Sequence, residues 1–373
     1  MPPALLAHVK WYVDDPHHVP FGLSLLREPL TLVLVLGALA VTAGWWLVAR
    51  RLVRPLPILT PLGRLAPWIP RILGIHLGVS LLALAVTNSY LAPHLSLDDV
   101  PGASALALVE GVVGVWLITG VRLRPAALVV VALGPIGMVF TGVLPVVEAL
   151  DTLGVALFVA LLPPGPDRFG ARYVTADELR TPLRILRVAG GMALVILAFS
   201  EKLLVPGLAS QLIEQYPAVD VFRIIGVEVP ADVYVRIAAI TELVFGLMLI
   251  SGAGIQVVVL VAAVPFNLTL LVFDRFELIG HLPVYGLLLA LLVYASSPEL
   301  RAPPRRAAAS RRRGGRRERR RDTCRSAGVT QRAIARTCPP TRRGECARSD
   351  TQYGRSVTSG IPTCTTFLSS AQR

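Results

Sequence analysis

Nine apolar stretches, each close to the length of a membrane-spanning helix, most constrain what this chain can fold into. A helix rises 1.5 Å per residue, so crossing a hydrocarbon core about 30 Å thick takes roughly 20 apolar residues. The pattern therefore predicts an all-α fold, a polytopic transmembrane bundle of about nine helices. The stretches lie at about 29–49, 71–92, 103–121, 125–146, 149–163, 185–205, 233–252, 255–273 and 278–296.

The net charge of +13 belongs to the end of the chain and not to these stretches. Residues 301–373 hold 19 Arg against four acidic residues, whereas residues 1–300 carry 18 basic against 20 acidic residues. Only 16% of all residues are charged, against about 25% in soluble domains. The body is thus a nearly neutral, strongly apolar unit, and its composition is that of a membrane protein.

Arg residues in the loops predict the orientation, because short cytoplasmic loops are enriched in Lys and Arg. Basic residues cluster at 50–71, 122–124 and 168–187, and acidic residues dominate at 98–99, 148–151 and 214–232. These two groups of loops alternate along the chain. We therefore expect a multi-pass protein of the bacterial cell membrane, with the N-terminus outside and the C-terminus in the cytoplasm.

An internal repeat relates the two halves of the body. Residues 71–93 align without gaps on 184–206, and residues 107–120 align on 239–252. Since each copy has four helices, both copies must insert in the same sense, as parallel repeats. The matched residues are Arg71/Arg184, Gly78/Gly191, Pro93/Pro206, Glu110/Glu242, Gly114/Gly246 and Gly120/Gly252, and Glu148 aligns on Glu277.

The repeat divides the chain into four parts. They are an N-terminal segment with one transmembrane helix (1–66), a degenerate first four-helix repeat (67–166), a second four-helix repeat (184–298) and an Arg-rich tail (299–373).

The second repeat resembles the DoxX family of four-helix membrane proteins. The resemblance rests on FSEKLLVP (199–206), TELVFGLMLISG (241–252) and ELIGHLPVYG (277–286). It covers 184–298 well and 71–163 more loosely. It implies an accessory or redox-linked component of a quinone-linked membrane oxidoreductase, with oxidoreductase subunits as partners. The alternative from the residues alone is a transporter of a small solute or proton that uses midplane carboxylates.

Ionisable residues inside the apolar stretches are the candidates for a polar site, because each is costly in a bilayer. Glu242 and its counterpart Glu110 are either hydrogen-bonded carboxyls that join helices or protonatable groups facing a cavity. Glu201 requires a partner across the bundle. Lys202, the next residue, is predicted to extend toward the lipid headgroups. At the positions of Glu201 and Lys202, the first repeat has the uncharged residues Asn88 and Ser89. The second repeat is therefore predicted to hold the site.

Glu277 and His281 lie four residues apart and therefore share a helical face. They could hold a proton or a quinone oxygen, or they could simply begin a helix at the membrane interface. Asn267 and Thr269 could line the same cavity or bond between helices. A metal is not expected, since an i, i+4 pair lacks a third ligand.

All four cysteines lie in the tail, which excludes thiol–disulfide chemistry and thiolate metal sites from the body. No cofactor is expected from the residues, and quinone is the molecule that the resemblance would add. The tail is predicted to be disordered and to bind anionic lipid headgroups, with no specific nucleic acid expected. A frameshifted end in a GC-rich gene would also have this composition.

Overall fold

Helices make up nearly all of the part of the chain that the computed structural model describes, which is residues 9–10, 21–52, 54–97, 100–163 and 172–301. The predicted Arg-rich tail, from residue 302 onward, lies outside the described residues.

Ten α-helices of six or more residues follow one another along the described chain. They are α1 (Pro29–Leu52), α2 (Ile69–Val86), α3 (Ala103–Thr119), α4 (Leu123–Thr141), α5 (Val143–Glu148), α6 (Leu150–Leu161), α7 (Ala176–Leu197), α8 (Pro206–Gln215), α9 (Ala231–Ser251) and α10 (Ile255–Ser296). A 3₁₀ helix leads into α2, a π-helical segment continues α7, and short helical turns occur elsewhere. These elements are, in chain order, Ser24–Arg27, Pro57–Trp68, Ala198–Leu203, Pro217–Val219, Val221–Ile224 and Pro298–Arg301.

The helical part of the prediction is confirmed, and six helical segments of the described chain are long and apolar enough to cross a bilayer, as in a membrane protein. They are Pro29–Arg51, Pro57–Val86, Leu123–Thr141, Ala176–Leu203, Ala231–Ser251 and Leu278–Ser296. Three further apolar helices are shorter: Ala103–Thr119, Leu150–Leu161 and Ile255–Leu270.

Helix α10 folds back on itself. A straight helix of 42 residues would be about 60 Å long. Near its two ends, however, Gln256 Nε2 donates to Ser296 Oγ at 2.8 Å. Closer to the middle, Tyr285 Oη donates to the Phe266 carbonyl oxygen at 2.7 Å. These contacts between its two halves mean that α10 is an antiparallel pair of helical arms, which the sequence predicted as helices 255–273 and 278–296.

The sequence did not predict the element that follows α2. The helix was expected to reach residue 92, but it ends at Val86, and strands β1 (Ser89–Tyr90) and β2 (Ala92–Ser96) form a short antiparallel hairpin. The Tyr90 hydroxyl donates to the Leu133 carbonyl oxygen at 2.6 Å and so anchors this hairpin to α4. The predicted fourth helix, 125–146, also breaks, at Gly142 with φ +89°.

Two helix pairs, α2/α3 and α7/α9, pack through glycines at matching places. A Cβ atom on Gly78 would lie 2.6 Å from the Gly114 carbonyl oxygen. A Cβ atom on Gly191 would lie 2.5 Å from the Gly246 carbonyl oxygen. In both pairs the backbones approach so closely that only glycine fits, which is a common way for membrane helices to associate.

Helix α1 packs on the second of these pairs. Ala38 is buried in a cluster with Ala198 and Leu243. The Trp45 indole N–H donates to the Ala253 carbonyl oxygen at 2.9 Å. The first contact is with the π-helical segment and α9, and the second is with the turn that follows α9, so α1 flanks the region that contains the candidate site.

Candidate functional site

A cavity of about 360 Å³ lies among α7, α8, α9 and α10. Most of its wall is aliphatic or aromatic. Its polar side chains include Lys202, Glu242 and His281, together with Thr241 and Thr269. A cavity of this kind suits a small, mainly apolar molecule that carries a few hydrogen-bonding atoms. The aromatic side chains in the wall are Phe222, Tyr234, Phe245, Phe266 and Phe273.

Lys202 and Glu242 form an ion pair at the wall of the cavity. Lys202 Nζ lies 2.9 Å from Glu242 Oε1 and 3.0 Å from Oε2. The Lys202 side chain is 9% exposed and that of Glu242 is 32% exposed. The prediction that Lys202 extends toward the headgroups is therefore wrong, because its ammonium group lies inside the protein against a carboxylate on α9.

The π-helical segment Ala198–Leu203 supplies both Glu201 and Lys202 to the interior. A π-helical turn fits an extra residue into the helix and changes the direction of the side chains that follow, and such turns are frequent at functional sites. Both residues are buried, at 0% and 7% exposure, although they are neighbours in the sequence.

Glu201 has few partners for a buried carboxylate. Its Oε2 atom accepts a hydrogen bond from the Val9 backbone N–H at 3.1 Å and lies 4.0 Å from Lys202 Nζ. Within the described part of the chain, its Oε1 atom has no hydrogen-bond partner. The distant partner predicted for Glu201 is thus the N-terminal segment, which bonds to only one of the two carboxylate oxygens.

The polar network continues through Lys10, which forms an ion pair with Glu148 at the end of α5. Glu148 Oε2 also lies 3.4 Å from His94 Nε2, and the same nitrogen lies 3.0 Å from the Pro145 carbonyl oxygen. Burial lowers the pKa of His94, and the Lys10 charge adds to this effect, while Glu148 and the bond to Pro145 oppose it.

Lys10, Glu148 and His94 were not among the predicted site residues. One signal was present, since Lys10 and Lys202 are the only lysines in a chain with 35 arginines.

Glu110 has a different environment from Glu242, its counterpart in the sequence alignment. It is 0% exposed, and its Oε1 atom accepts the Leu91 backbone N–H at 2.8 Å. Glu110 lies on α3 and Leu91 lies in the bend of the β-hairpin, so this bond matches the structural alternative, a carboxyl that joins elements. Burial and the nearby Glu110 together raise the pKa of Tyr90.

The other predicted site residues lie in α10. His281 lines the cavity and stacks edge-on against Phe266, with 5.5 Å between ring centroids, and it interacts electrostatically with Asp151 on α6. Thr269 lines the cavity and bonds to its own helix.

The remaining two are Asn267 and Glu277. Asn267 is exposed and donates to the Ala263 carbonyl oxygen of its own helix at 2.6 Å, so it matches neither of the two alternatives, lining the cavity or bonding between helices. The backbone of Glu277 lies in α10, and its side chain lies outside the described residues.

The described residues contain no group of three or more His, Cys, Asp or Glu side chains that could hold a metal ion. Comparison with known proteins adds no family: no family model matches the chain, and no curated protein or solved structure matches it.

Proposed function

We propose that this chain is an integral membrane protein that binds a small, mainly apolar molecule, in an accessory or redox-linked role within a quinone-linked oxidoreductase system. One observation carries the proposal. The 360 Å³ cavity has an apolar and aromatic wall, and the Lys202–Glu242 ion pair and His281 supply its ionisable groups. A quinone has the matching chemistry, because its ring and tail are apolar and its carbonyl oxygens accept hydrogen bonds.

The resemblance to the DoxX family supports the redox-linked part of this proposal. The residues that carry the resemblance include Glu201, Lys202, Glu242 and His281. Three of these four side chains line the cavity. The part of the sequence that resembles the family is therefore also the part that surrounds the candidate ligand.

The proposed architecture is about nine helices, arranged as two parallel four-helix repeats and one N-terminal helix. Two observations support it. The glycine contact of Gly78 with Gly114 has its counterpart in that of Gly191 with Gly246, at the positions that the alignment pairs. The antiparallel arms of α10 correspond to the third and fourth helices of the proposed second repeat.

The proposed orientation has the N-terminus outside and residue 300 on the cytoplasmic side. The Arg content of alternate loops supports it. The proposed contact of the Arg-rich tail with anionic headgroups fits the same orientation, because anionic lipids are concentrated on the cytoplasmic leaflet.

A binding measurement tests the proposed function. Purified protein in detergent is titrated with a short-chain quinone, and binding is followed by the quenching of tryptophan fluorescence. We expect saturable binding that Glu242→Gln weakens tenfold or more. Glu242 holds the Lys202 ammonium group, the charged donor to a quinone oxygen, and a hydrogen bond from a charged group is worth about 1.5–3 kcal/mol. Glu110→Gln is the matched control, because it changes the aligned carboxyl away from the cavity. Equal affinities in all three proteins would refute the proposal.

Transport of a small solute or proton is the second candidate function. Ionisable residues within membrane-spanning helices are typical of transport pathways, and Lys202 and Glu242 are such a pair. Reconstituted vesicles separate the two functions. A solute or proton flux that Glu242→Gln abolishes would favour transport, whereas quinone binding without flux favours the accessory role.

A further inference from the structure

Both lysines of this chain belong to one largely buried group of ionisable side chains, which we call the network. Its two halves meet where the Val9 backbone N–H, next to Lys10, donates to Glu201, and the charges of Lys10 and Glu148 also act on Glu201. Lys202 contacts Glu242 at 2.9 Å and Glu201 at 4.0 Å, and Lys10 pairs with Glu148. Elsewhere the chain uses arginine as its cation, 35 times in all. A lysine ammonium can give up its proton inside a protein, whereas an arginine guanidinium stays charged. The two cations in the network are thus the ones able to exchange protons.

Among the residues that the structure describes, the network has more acidic than basic groups. It contains three carboxyls, on Glu148, Glu201 and Glu242, and the two lysine ammonium groups. His94 adjoins Glu148 at 3.4 Å, in surroundings where burial favours its neutral form. If every carboxyl were ionised, the network would hold one uncompensated negative charge inside the protein, which is strongly unfavourable. One additional proton makes it neutral.

Glu201 is the carboxyl with the weakest compensation. Glu242 contacts Lys202 through both oxygens and is partly open to the cavity, and Glu148 contacts both Lys10 and His94. Glu201 is fully buried, has its nearest ammonium at 4.0 Å and leaves Oε1 without a hydrogen-bond partner among the described residues. We propose that the additional proton resides on Glu201 and exchanges with the cavity through Lys202 and Glu242.

The contacts define the steps of this exchange. Lys202 first donates a proton to Glu242, so one N–H bond breaks and one O–H bond forms at the wall of the cavity. A side-chain movement that closes the 4.0 Å gap to hydrogen-bonding distance then lets Glu201 donate its proton to the neutral Lys202 amine, and Glu201 becomes a carboxylate beside the restored ammonium. The net result moves one proton from a fully buried carboxyl to one that faces the cavity. This proton exchange is separate from the proposed binding function and does not require a ligand in the cavity.

Infrared spectroscopy of the purified full chain tests the proposal, because a protonated carboxylic acid has a carbonyl stretch that an ionised carboxylate lacks. Spectra are recorded near neutral pH in H₂O and in D₂O. We expect Glu201→Gln to remove one deuterium-sensitive carboxylic acid component. Gln has the shape of a protonated Glu, so this variant should fold. Glu110→Gln, a matched change at another buried carboxyl, should leave the Glu201 component in place.

A second variant tests the charge count independently. Lys10→Met removes one ammonium group, so the network needs one more proton to stay neutral, and we expect a gain of one carboxylic acid component. An unchanged spectrum in Glu201→Gln would overturn the assignment of the proton to Glu201. An unchanged spectrum in Lys10→Met would refute the claim that Lys10 and Glu201 share one charge balance. This result can be obtained even if Glu201→Gln does not fold.

Discussion

Replacing Lys202 with Met is the perturbation whose effect on stability follows most directly from the structure. The change keeps most of the apolar stem but removes the ammonium group that lies 2.9 Å from Glu242 and 4.0 Å from Glu201. Removal of one partner from a fully buried pair typically destabilises a protein by about 3–5 kcal/mol. Because Glu242 is 32% exposed, water screens part of the remaining charge, and we expect a loss of about 2–3 kcal/mol.

The assay is reversible unfolding in mixed micelles, with the free energy extrapolated to native conditions. The double variant Lys202→Met/Glu242→Gln removes both charges, so it should recover at least half of the loss. Arg180→Met is the control, since Arg180 is 70% exposed and pairs with Asp177 at 3.5 Å on the surface. It should change stability by less than about 1 kcal/mol.

The reasoning would be refuted if Lys202→Met were as stable as the wild type, or if the double variant were less stable than the single one. Either result would mean that the charges at this position do not compensate each other.

Two further predictions concern a helix contact and the dependence of stability on pH. Gly191→Ala should destabilise the protein by about 1–3 kcal/mol in the same unfolding assay, because its Cβ would lie 2.5 Å from the Gly246 carbonyl oxygen. Gly44→Ala, where a Cβ meets no atom within 4 Å, should not be destabilising. Since burial lowers the pKa of His94, stability should be retained above the ordinary pKa of about 6.5 and should fall as the pH drops below it toward the folded-state pKa. His94→Gln should flatten that part of the curve, and an unchanged slope would contradict the assignment.

The apolar helices and the correspondence between the glycines of the two repeats could be predicted from the sequence, because each has a local signal. A bilayer fixes the length of a spanning helix, so α1 and α9 were expected within three residues of their observed ends. The alignment alone matched Gly191 with Gly78 and Gly246 with Gly114. In the structure, Gly78 lies against Gly114, and Gly191 lies against Gly246.

The network around Glu201 could not be predicted in the same way. Its contacts join residues that are far apart in the chain: Val9 with Glu201 across 192 positions, and Lys10 with Glu148 across 138. No local pattern encodes such a pairing. The direction of Lys202 depends on the π-helical segment, because an ordinary α-helix would point successive side chains differently. The sequence therefore identified Lys202 as a candidate and assigned it the wrong environment.

Identification of the molecules that copurify with the protein tests the occupancy of the cavity most directly. Protein purified gently from its native membrane is extracted with organic solvent, and the extract is analysed by mass spectrometry. Ala238→Phe places a large side chain in the cavity wall, and Ala43→Phe makes the same change at an exposed position on α1. We predict one quinone-like molecule in the wild type and in Ala43→Phe, and its loss in Ala238→Phe. The same molecule in equal amounts from all three proteins would contradict a binding site in this cavity.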